Sequence, residues 1–374
     1  MEIVLDDDQE LLRDTAAKFI TDTCPLHEVR ALASSGDGVD RAYLRQAAEL
    51  GWYAMLVPEE AGGGSISGEG LRDLAIVAET RGRALQPGPF LSTNVVADAV
   101  ARSGSPDQQA AVLPALAAAE ATASWAVADT NGAFAPGAAV DALPDGDDWI
   151  LRGEAGLVQD GALADWFLVT ASGPQGLAQF LVPAATPGIT VKPLASHDIT
   201  QRFAAVAFAD ARIPGTGILG SGGSADEDVD AQLDVAVVLS VAESVGAMDA
   251  LFEMTRQYAV DRVAFGRPIG SFQAVKHQLA DLSLGVEASK AISVQATRAV
   301  QAATDDASEI ASMAKAWVGD TGIQLAQGCF QVFAGIGYTW EHDSHLYLRR
   351  LTMNSLLFGE PDWHRERICR LHGI

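Results

Sequence analysis

The sequence predicts an α+β fold in three consecutive parts: one helical, one built of strands and one helical again. The apolar period changes from helical to strand-like near residue 121, and a polar, glycine-rich stretch separates the last strand from long helical patterns. We therefore expect domains at residues 1–120, 121–219 and 229–374, with a linker at 220–228. At 374 residues, the chain is long enough for two or three such domains.

The first third of the chain has the apolar spacing of amphipathic helices. Acidic residues crowd the first turn of the earliest helix, where the helix dipole favours them, and Gly51 closes the second. The predicted helices cover residues 5–20, 41–50, 71–83, 94–101 and 110–119.

The middle third has short segments rich in β-branched and aromatic residues. Gly, Pro and Asp interrupt them every ~10 residues, which is typical of an all-β unit. The predicted strands cover residues 124–128, 149–152, 166–170, 179–182, 189–191 and 203–208.

Composition and charge exclude several classes of protein. Although 48% of the residues are apolar, no run of ~18 apolar residues is visible, so we expect no membrane span. The formal net charge of −24 argues against nucleic acid or an anionic membrane as a partner, but it allows an anionic coenzyme held by local basic groups. No secretory leader is visible, and Cys24, Cys329 and Cys369 lie far apart. We therefore expect reduced thiols and a cytoplasmic location.

One segment is the most informative part of the chain: Arg262-Val-Ala-Phe-Gly-Arg-Pro-Ile-Gly-Ser-Phe-Gln-Ala-Val-Lys-His-Gln-Leu-Ala-Asp281. It predicts the end of one long helix, a short turn and the start of the next helix. Arg262 and Gln273 bracket the turn, which places a planar cation and an amide together, as a diphosphate group requires. The alternative is that Arg262 pairs with a nearby carboxylate and that Gln273 is solvated.

A second segment, Gln331-Val-Phe-Ala-Gly-Ile-Gly337, carries a related signal. Its small residues let backbone N–H groups approach a phosphate or ribose closely. The alternative is a glycine turn that simply ends a helix. The two segments together are more specific than either one alone.

Both segments resemble the acyl-CoA dehydrogenases, FAD enzymes that desaturate acyl thioesters. The matching residues of the first segment are Arg262, Phe265, Gly266, Pro268, Ile269, Phe272, Gln273 and Asp281. The second resembles the family's Gln-x-x-Gly-Gly-x-Gly, with Ala334 in place of the first Gly. Across the whole chain, the resemblance implies an N-terminal helical domain, a middle β-barrel and a C-terminal four-helix bundle. It also implies that the ADP portion of a neighbouring subunit's FAD is bound by Arg262, Phe265, Gln273, Gln331, Val332, Phe333, Ala334 and Gly335.

The flavin-ring half of the family's site is altered in this chain. The family's Gly-x-Lys-x-Trp-Ile-Thr-Asn-Gly pattern aligns with residues 153–161, so Leu157 stands where an aromatic residue packs on the flavin and Gln159 where a hydroxyl stands. The family's Thr-Glu-Pro-x-x-Gly-Ser-Asp is replaced by Ala128-Asp-Thr-Asn-Gly-Ala-Phe-Ala. Leucine cannot stack as an aromatic ring does. The resemblance therefore predicts that this chain holds no flavin ring of its own.

The catalytic base of the family is also missing. Family chemistry needs a carboxylate to remove the α-proton while flavin N5 takes the β-hydride. Counting from Gly337, the family's Glu falls on Phe358, and the position used by another subgroup falls near Ala236. The catalytic residue of this chain is therefore unknown from its sequence.

Other acidic and histidine residues offer weaker candidates. Asp234, Glu243 and Glu341 are interpreted mainly as surface or capping carboxylates. His342 and His345 have no third ligand nearby in sequence, so no metal site is expected.

The Trp340-Glu-His-Asp-Ser-His-Leu-Tyr segment resembles an actinobacterial branch of the family, in which chains often form α2β2 assemblies acting on bulky acyl-CoA thioesters, including steroid side chains. We expect a subunit that lends its ADP-binding side to a paralogous partner chain. The alternatives are a homo-oligomeric dehydrogenase with an unusual base, such as Glu243 or Glu341, and a non-catalytic structural subunit.

Overall fold

The structure, a computed structural model, describes residues 5–35, 38–220 and 224–374. Its N-terminal part is helical, and each of the five predicted helices is present with slightly different ends. An additional helix, α2, was not predicted; it is ten residues long, and Val29 is its one fully buried residue in the described chain. The helices are α1 (Asp7–Thr23), α2 (Leu26–Ser35), α3 (Arg41–Glu49), α4 (Gly70–Arg83), α5 (Phe90–Ser103) and α6 (Pro106–Ala117).

The middle part is built of strands, as predicted. Two of them were missed: one is largely exposed and has a single β-branched residue, and the other is two residues long. The strands are β1 (Ala123–Ala126), β2 (Gly137–Asp145), β3 (Asp148–Gln159), β4 (Trp166–Gly173), β5 (Gly176–Pro183), β6 (Ile189–Leu194), β7 (Phe203–Ile213) and β8 (Ile218–Leu219).

These strands form one sheet, but they do not close into the expected barrel. The hydrogen-bonded order is β6-β7-β3-β2-β4-β5-β8, and β1 pairs with β4. Within the described residues, the end strands β6 and β8 do not pair with each other. The short β8 is the reason, because it reaches only Gln179 and Phe180 of β5 before the chain leaves the sheet. The barrel prediction is therefore corrected to an open sheet.

The C-terminal part returns to long helices. Its elements are α7 (Asp226–Asp261), a hairpin of β9 (Val263–Ala264) and β10 (Arg267–Pro268), α8 (Gln273–Gln301), α9 (Ala307–Phe333), α10 (Ser344–Leu356) and α11 (Pro361–Leu371). Helix α7 begins inside the predicted linker, because Asp226, Glu227 and Asp228 stabilise its first turn. Residues 221–223 of that linker lie outside the described residues.

Two glycines bring the N-terminal and C-terminal parts into direct backbone contact. A Cβ on Gly82 of α4 would lie 1.9 Å from the Glu243 carbonyl oxygen, and one on Gly246 of α7 would lie 1.9 Å from the Glu79 carbonyl oxygen. Helix α7 is long and apolar enough, by length and composition, to cross a membrane, but 83% of its most apolar window is buried inside the structure. Its packing against α4, α8 and α9 explains that apolar composition.

A buried ion cluster joins all three parts. Arg350 of α10 is fully buried, and its guanidinium donates hydrogen bonds to the Asp198 carboxylate (2.7 Å) and the Thr200 hydroxyl (2.6 Å) of the middle domain. It also pairs with Glu243 of α7 and donates to the Leu85 carbonyl (3.2 Å) of the N-terminal domain. Arg350 thereby neutralises two buried carboxylates and satisfies a buried hydroxyl and a buried carbonyl. Because these groups belong to three domains, the cluster fixes the relative positions of those domains.

Candidate functional site

Arg262 lies where α7 ends, and its backbone holds the turn that follows. Its N–H donates to the Tyr258 carbonyl and its own carbonyl accepts from the Ile269 N–H, both at 2.8 Å. The side chains of Arg262 and Gln273 are exposed, and neither makes an ion pair or hydrogen bond with any described residue. The carboxylate pairing of the alternative interpretation does not occur among the described residues, whereas the exposed Gln273 agrees with it.

The turn between β9 and β10 carries an exposed aromatic side chain. Phe265 and Gly266 both have positive φ, 54° and 80°, as a tight two-residue hairpin turn requires. Phe265 is 97% exposed and contacts only the edge of Phe272, at a centroid distance of 6.2 Å. Arg267 lies over the Phe272 ring, 4.1 Å from its centroid. A bulky residue at positive φ in solvent is costly, so the geometry of the hairpin turn, rather than packing within the described chain, sets this conformation.

The second predicted segment ends α9 at the same end of the bundle. Gln331, Ala334 and Gly335 are exposed, whereas the Val332 and Phe333 side chains are buried. Of these five predicted cofactor residues, Val332 and Phe333 can therefore offer only backbone atoms to a ligand. Ala334 has φ 53° and ψ −137°, a conformation that favours glycine.

Side-chain packing brings the two segments together. The Phe333 ring packs on Tyr258 of α7 with centroids 5.3 Å apart, and the Gln278 amide donates to the Gly328 carbonyl at 2.9 Å. The open backbone at Gly335, where an added Cβ would meet nothing within 4 Å, completes the group. This end of the bundle thus offers an unpaired planar cation, an unpaired amide and accessible backbone, which suit a diphosphate ligand.

A second region, the interdomain cavity, lies between the N-terminal, middle and C-terminal domains. Its volume is about 30 Å³. Its lining includes Leu157, Gln159 and Phe358, so the three altered positions identified by resemblance meet at one place. The lining residues are Leu91, Ser92, Val95, Trp125, Val127, Ala128, Gly132, Phe134, Leu157, Gln159, Leu357 and Phe358.

Aromatic rings fill this cavity. Phe358 stacks on Trp125 with centroids 6.1 Å apart and planes 18° apart, and Phe134 meets the edge of Trp125 at 5.9 Å. The Trp363 ring packs edge-on against Phe134, with the two ring centroids 5.1 Å apart. Sequence reasoning found Phe358 and missed the other three, because they come from separate segments with no local pattern.

Among the described residues that line the interdomain cavity, none has an ionisable side chain. Its polar atoms are few: the Ser92 hydroxyl and the Gln159 carbonyl oxygen are buried without a hydrogen-bond partner in the described part of the chain. A group that removes a proton needs a basic atom within reach of substrate. The described lining therefore has no candidate base.

The acids considered as alternative bases are engaged elsewhere. Glu243 pairs with Arg350 inside the buried ion cluster. Asp234 pairs with Arg367 at 2.6 Å and accepts from Ser308; burial raises its pKa, and Arg367 opposes that rise. Glu341 is exposed. None of the three lines the interdomain cavity.

The adjacent histidines have structural contacts. His345 stacks on Trp340 at 4.8 Å, and His342 packs on Phe333 at 4.4 Å. Burial lowers the pKa of both imidazoles. Among residues 5–35, 38–220 and 224–374, no group of three or more His, Cys, Asp or Glu side chains is placed to hold a metal ion.

Comparison with known proteins identifies the family. A family model described as acyl-CoA dehydrogenase, N-terminal domain, matches residues 6–120, and one described as acyl-CoA dehydrogenase, C-terminal domain, matches residues 228–371. The chain belongs to the acyl-CoA dehydrogenase family. The enzymes of this family are FAD-dependent oxidoreductases that act on CH–CH bonds.

Relatives point to the actinobacterial branch. The acyl-CoA dehydrogenase IpdE2 of Mycobacterium tuberculosis is 32% identical over 98% of this chain and 96% of its own length. Among solved structures, a variant of the steroid acyl-CoA dehydrogenase Tcur3481-Tcur3483 has a TM-score of 0.89 at 28% identity, covering 98% of each chain. The ChsE4-ChsE5 complex of Mycobacterium tuberculosis has a TM-score of 0.90 at 26% identity, covering 100% of this chain and 99% of that one. The predicted family and three-part fold are confirmed.

Proposed function

We propose that this chain is one subunit type of a FAD-dependent acyl-CoA dehydrogenase that desaturates an acyl-CoA thioester between its α and β carbons. It lends its ADP-binding end to a paralogous partner chain, and that partner supplies the flavin-ring pocket and the catalytic carboxylate. The partner's base takes the α-proton. FAD, when bound, accepts the hydride that leaves the β-carbon.

The small volume and mainly apolar lining of the interdomain cavity are the main support for this proposal. Sites for small molecules usually measure ~300–1,000 Å³, whereas this cavity measures about 30 Å³ and its described lining holds no acid. A flavin ring or acyl group could enter only if the aromatic cluster moved apart. The small volume and the lack of an acid in the described lining support a chain without a reacting centre of its own, whose outward-facing binding groups remain.

The opposite end supports a contribution to another chain. Arg262 and Gln273 have polar groups without partners in the described residues, and they would hold the diphosphate and its flanking groups. The backbone of Gln331, Val332, Phe333, Ala334 and Gly335 would face the ribose and phosphates. A charge-assisted contact to Arg262 fits a chain whose overall charge of −24 would otherwise repel an anion.

Exposed apolar side chains support a partner at the C-terminal domain. Of the 15 large hydrophobic side chains exposed in the described residues, ten lie between Val260 and Leu356. They include Phe265, Trp317 and Tyr338. Exposed aromatic and aliphatic groups concentrated on one domain are typical of a surface that another chain covers.

The relatives support the choice of partner and substrate. One similar structure is a complex of two named chains, ChsE4 and ChsE5, and another is described as a steroid acyl-CoA dehydrogenase. We therefore propose a hetero-oligomer with a paralogue, cytoplasmic, acting on a bulky acyl-CoA such as one with a steroid side chain. The homo-oligomeric alternative lacks support, because Glu243 is committed to Arg350 and Glu341 does not line the cavity.

The test is the flavin content of a complex with a paralogue that carries an intact base. Arg262→Ala should lower flavin occupancy, because it removes a charge-assisted contact of ~1.5–3 kcal/mol. Arg267→Ala is the matched control, since that arginine of the same turn is already stacked on Phe272. If Arg262→Ala leaves flavin occupancy and activity at the level of the control, the chain is a structural subunit without contact to FAD.

A further inference from the structure

The turn between α10 and α11 closes the interdomain cavity from the C-terminal side. Its backbone is unusual: Phe358 has φ 59° and Gly359 has φ 98°. The Phe358 side chain points away from the bundle onto Trp125 of the middle domain. Phenylalanine does not adopt positive φ without cost, so another contact must hold the turn in place.

His364 of α11 supplies that contact. It is fully buried, and its Nε2 lies 2.9 Å from the Phe358 carbonyl oxygen. Since a carbonyl oxygen can only accept, Nε2 carries the proton and donates it to this bond. The other ring nitrogen, Nδ1, is buried with no hydrogen-bond partner among the described residues, so this one bond fixes the orientation of the ring.

Close packing leaves the turn little freedom behind this bond. A Cβ on Gly359 would lie 2.8 Å from Cε3 of Trp363 and 2.9 Å from Nε2 of His364. The backbone of the turn therefore rests directly against the imidazole. A shift of Phe358 away from Trp125 would have to break the hydrogen bond or displace the ring.

The surroundings keep His364 neutral. Burial, and after it the positive charges of Lys315 on α9 and Arg367 on α11, lower the pKa of its imidazole to about 3, although the hydrogen bond to the Phe358 carbonyl raises it. Burial also lowers the pKa of Lys315 to about 7. The imidazole therefore stays a neutral donor through the physiological range, and the turn is held at every pH in that range.

We propose that His364 is a positioning residue that latches the α10–α11 turn, so that Phe358 stays on Trp125 and the interdomain cavity stays shut. This inference rests on the proposed function, in which this chain has no reacting centre of its own, and it adds how that inactive site is kept closed. Closure prevents the chain from taking up a flavin ring or an acyl group that it could not use.

The experiment follows Trp125 in the purified chain alone, without flavin or partner. Acrylamide quenching of tryptophan fluorescence is measured for each variant, once with Trp125 present and once with Trp125→Phe. The difference between the two signals gives the quenching of Trp125 alone, which is 5% exposed in the structure. His364→Leu keeps volume but removes the donor, and should increase Trp125 quenching because the freed turn opens about tenfold more often. His364→Gln retains an N–H donor and should restore protection. Phe358→Ala is the control for an uncovered Trp125.

Either of two results overturns the latch: a folded His364→Leu chain whose Trp125 is as protected as in the wild type, or a His364→Gln chain as open as His364→Leu. If His364→Leu does not fold, hydrogen exchange of the wild-type chain decides. The amides of Leu357 and His364 should then exchange as slowly as those of α9, and much faster exchange at these two positions alone overturns the proposal. Because no flavin is present, a failure here is separate from any failure of the shared-site proposal.

Discussion

The two ends of the C-terminal domain have opposite relations to solvent. At the ADP-binding end, Arg262 and Gln273 have no partner in the described residues and Phe265 is 97% exposed. At the interdomain cavity, Trp125 and Phe358 are stacked, and about 30 Å³ remains between domains. One end exposes a cation and an amide to solvent, and the other is closed, lined mainly by apolar and aromatic side chains and without an ionisable group among the described residues.

This difference shows which side chains a subunit can lose when its partner carries out the reaction: those of its own reacting centre, and not those that bind a ligand at its surface. A charged side chain kept in a closed, unused pocket would cost desolvation energy, so aromatic side chains in its place favour stability. Polar groups at an exposed end remain hydrated in the absence of a ligand, so they do not lower the stability of the folded chain. The open end should therefore matter for binding, and the closed end for stability.

The largest effect should come from the buried ion cluster of the closed side. Arg350→Ala leaves Asp198 and Glu243 buried without their cation, which should reduce the free energy of unfolding by about 3–5 kcal/mol. The neighbouring Arg349→Ala is the matched control. It removes one exposed bond to the His197 carbonyl and should cost less than ~1 kcal/mol. Urea unfolding followed by circular dichroism measures both, and equal effects would contradict the assignment.

Two glycine substitutions compare the ends directly. Gly359→Ala forces a side chain at φ 98° against Trp363 and His364, and should destabilise the chain by roughly 2–4 kcal/mol. Gly335→Ala at the open end meets nothing within 4 Å and should change stability by less than ~0.5 kcal/mol. Thermal unfolding of both variants checks this. A Gly359→Ala chain as stable as Gly335→Ala would mean that the turn is not tightly packed.

Acidic pH should lower the free energy of unfolding, because His364 is held neutral in the folded chain. Its pKa is about 3 in the folded chain against a usual 6.5, so the unfolded chain binds the proton first and stability falls as pH drops from 6.5 toward 3. Between pH 7 and pH 5 the loss from this group is about 2 kcal/mol. His364→Gln lacks that titration and should show a shallower decline in unfolding free energy. Parallel declines in both chains would mean that His364 is already protonated in the fold.

The smallest effect is expected at the open end of the isolated chain. Arg262→Ala and Gln273→Ala remove exposed groups without described partners, so each should change unfolding stability by less than ~0.5 kcal/mol. The same denaturant titration serves as the measurement. A loss above 1 kcal/mol would reveal a structural role for these side chains and weaken the case that they serve another chain.

The sequence predicted the parts that lie within single segments. The turn from Arg262 to Gln273 was placed correctly between two helices, because glycine, proline and apolar spacing act locally. Leu157 and Phe358 were matched to altered family positions by counting alone, and both line the interdomain cavity.

The remaining features depend on contacts between distant segments. Glu243 was considered as a base because its pairing with Arg350, 107 positions later, is invisible in sequence. The same holds for Trp125, Phe134 and Trp363, which meet only after the middle and C-terminal domains pack against each other. The closed barrel was expected from the family resemblance, and the pairing of the end strands β6 and β8 depends on long-range geometry that no periodicity reports.

The most direct test of the shared-site account is the visible absorbance spectrum of the chain purified alone with FAD present, together with its mass in solution. The account predicts a colourless protein that becomes yellow and active only when co-purified with a paralogue carrying the catalytic carboxylate. A yellow, active homo-oligomer with one flavin per chain would contradict it.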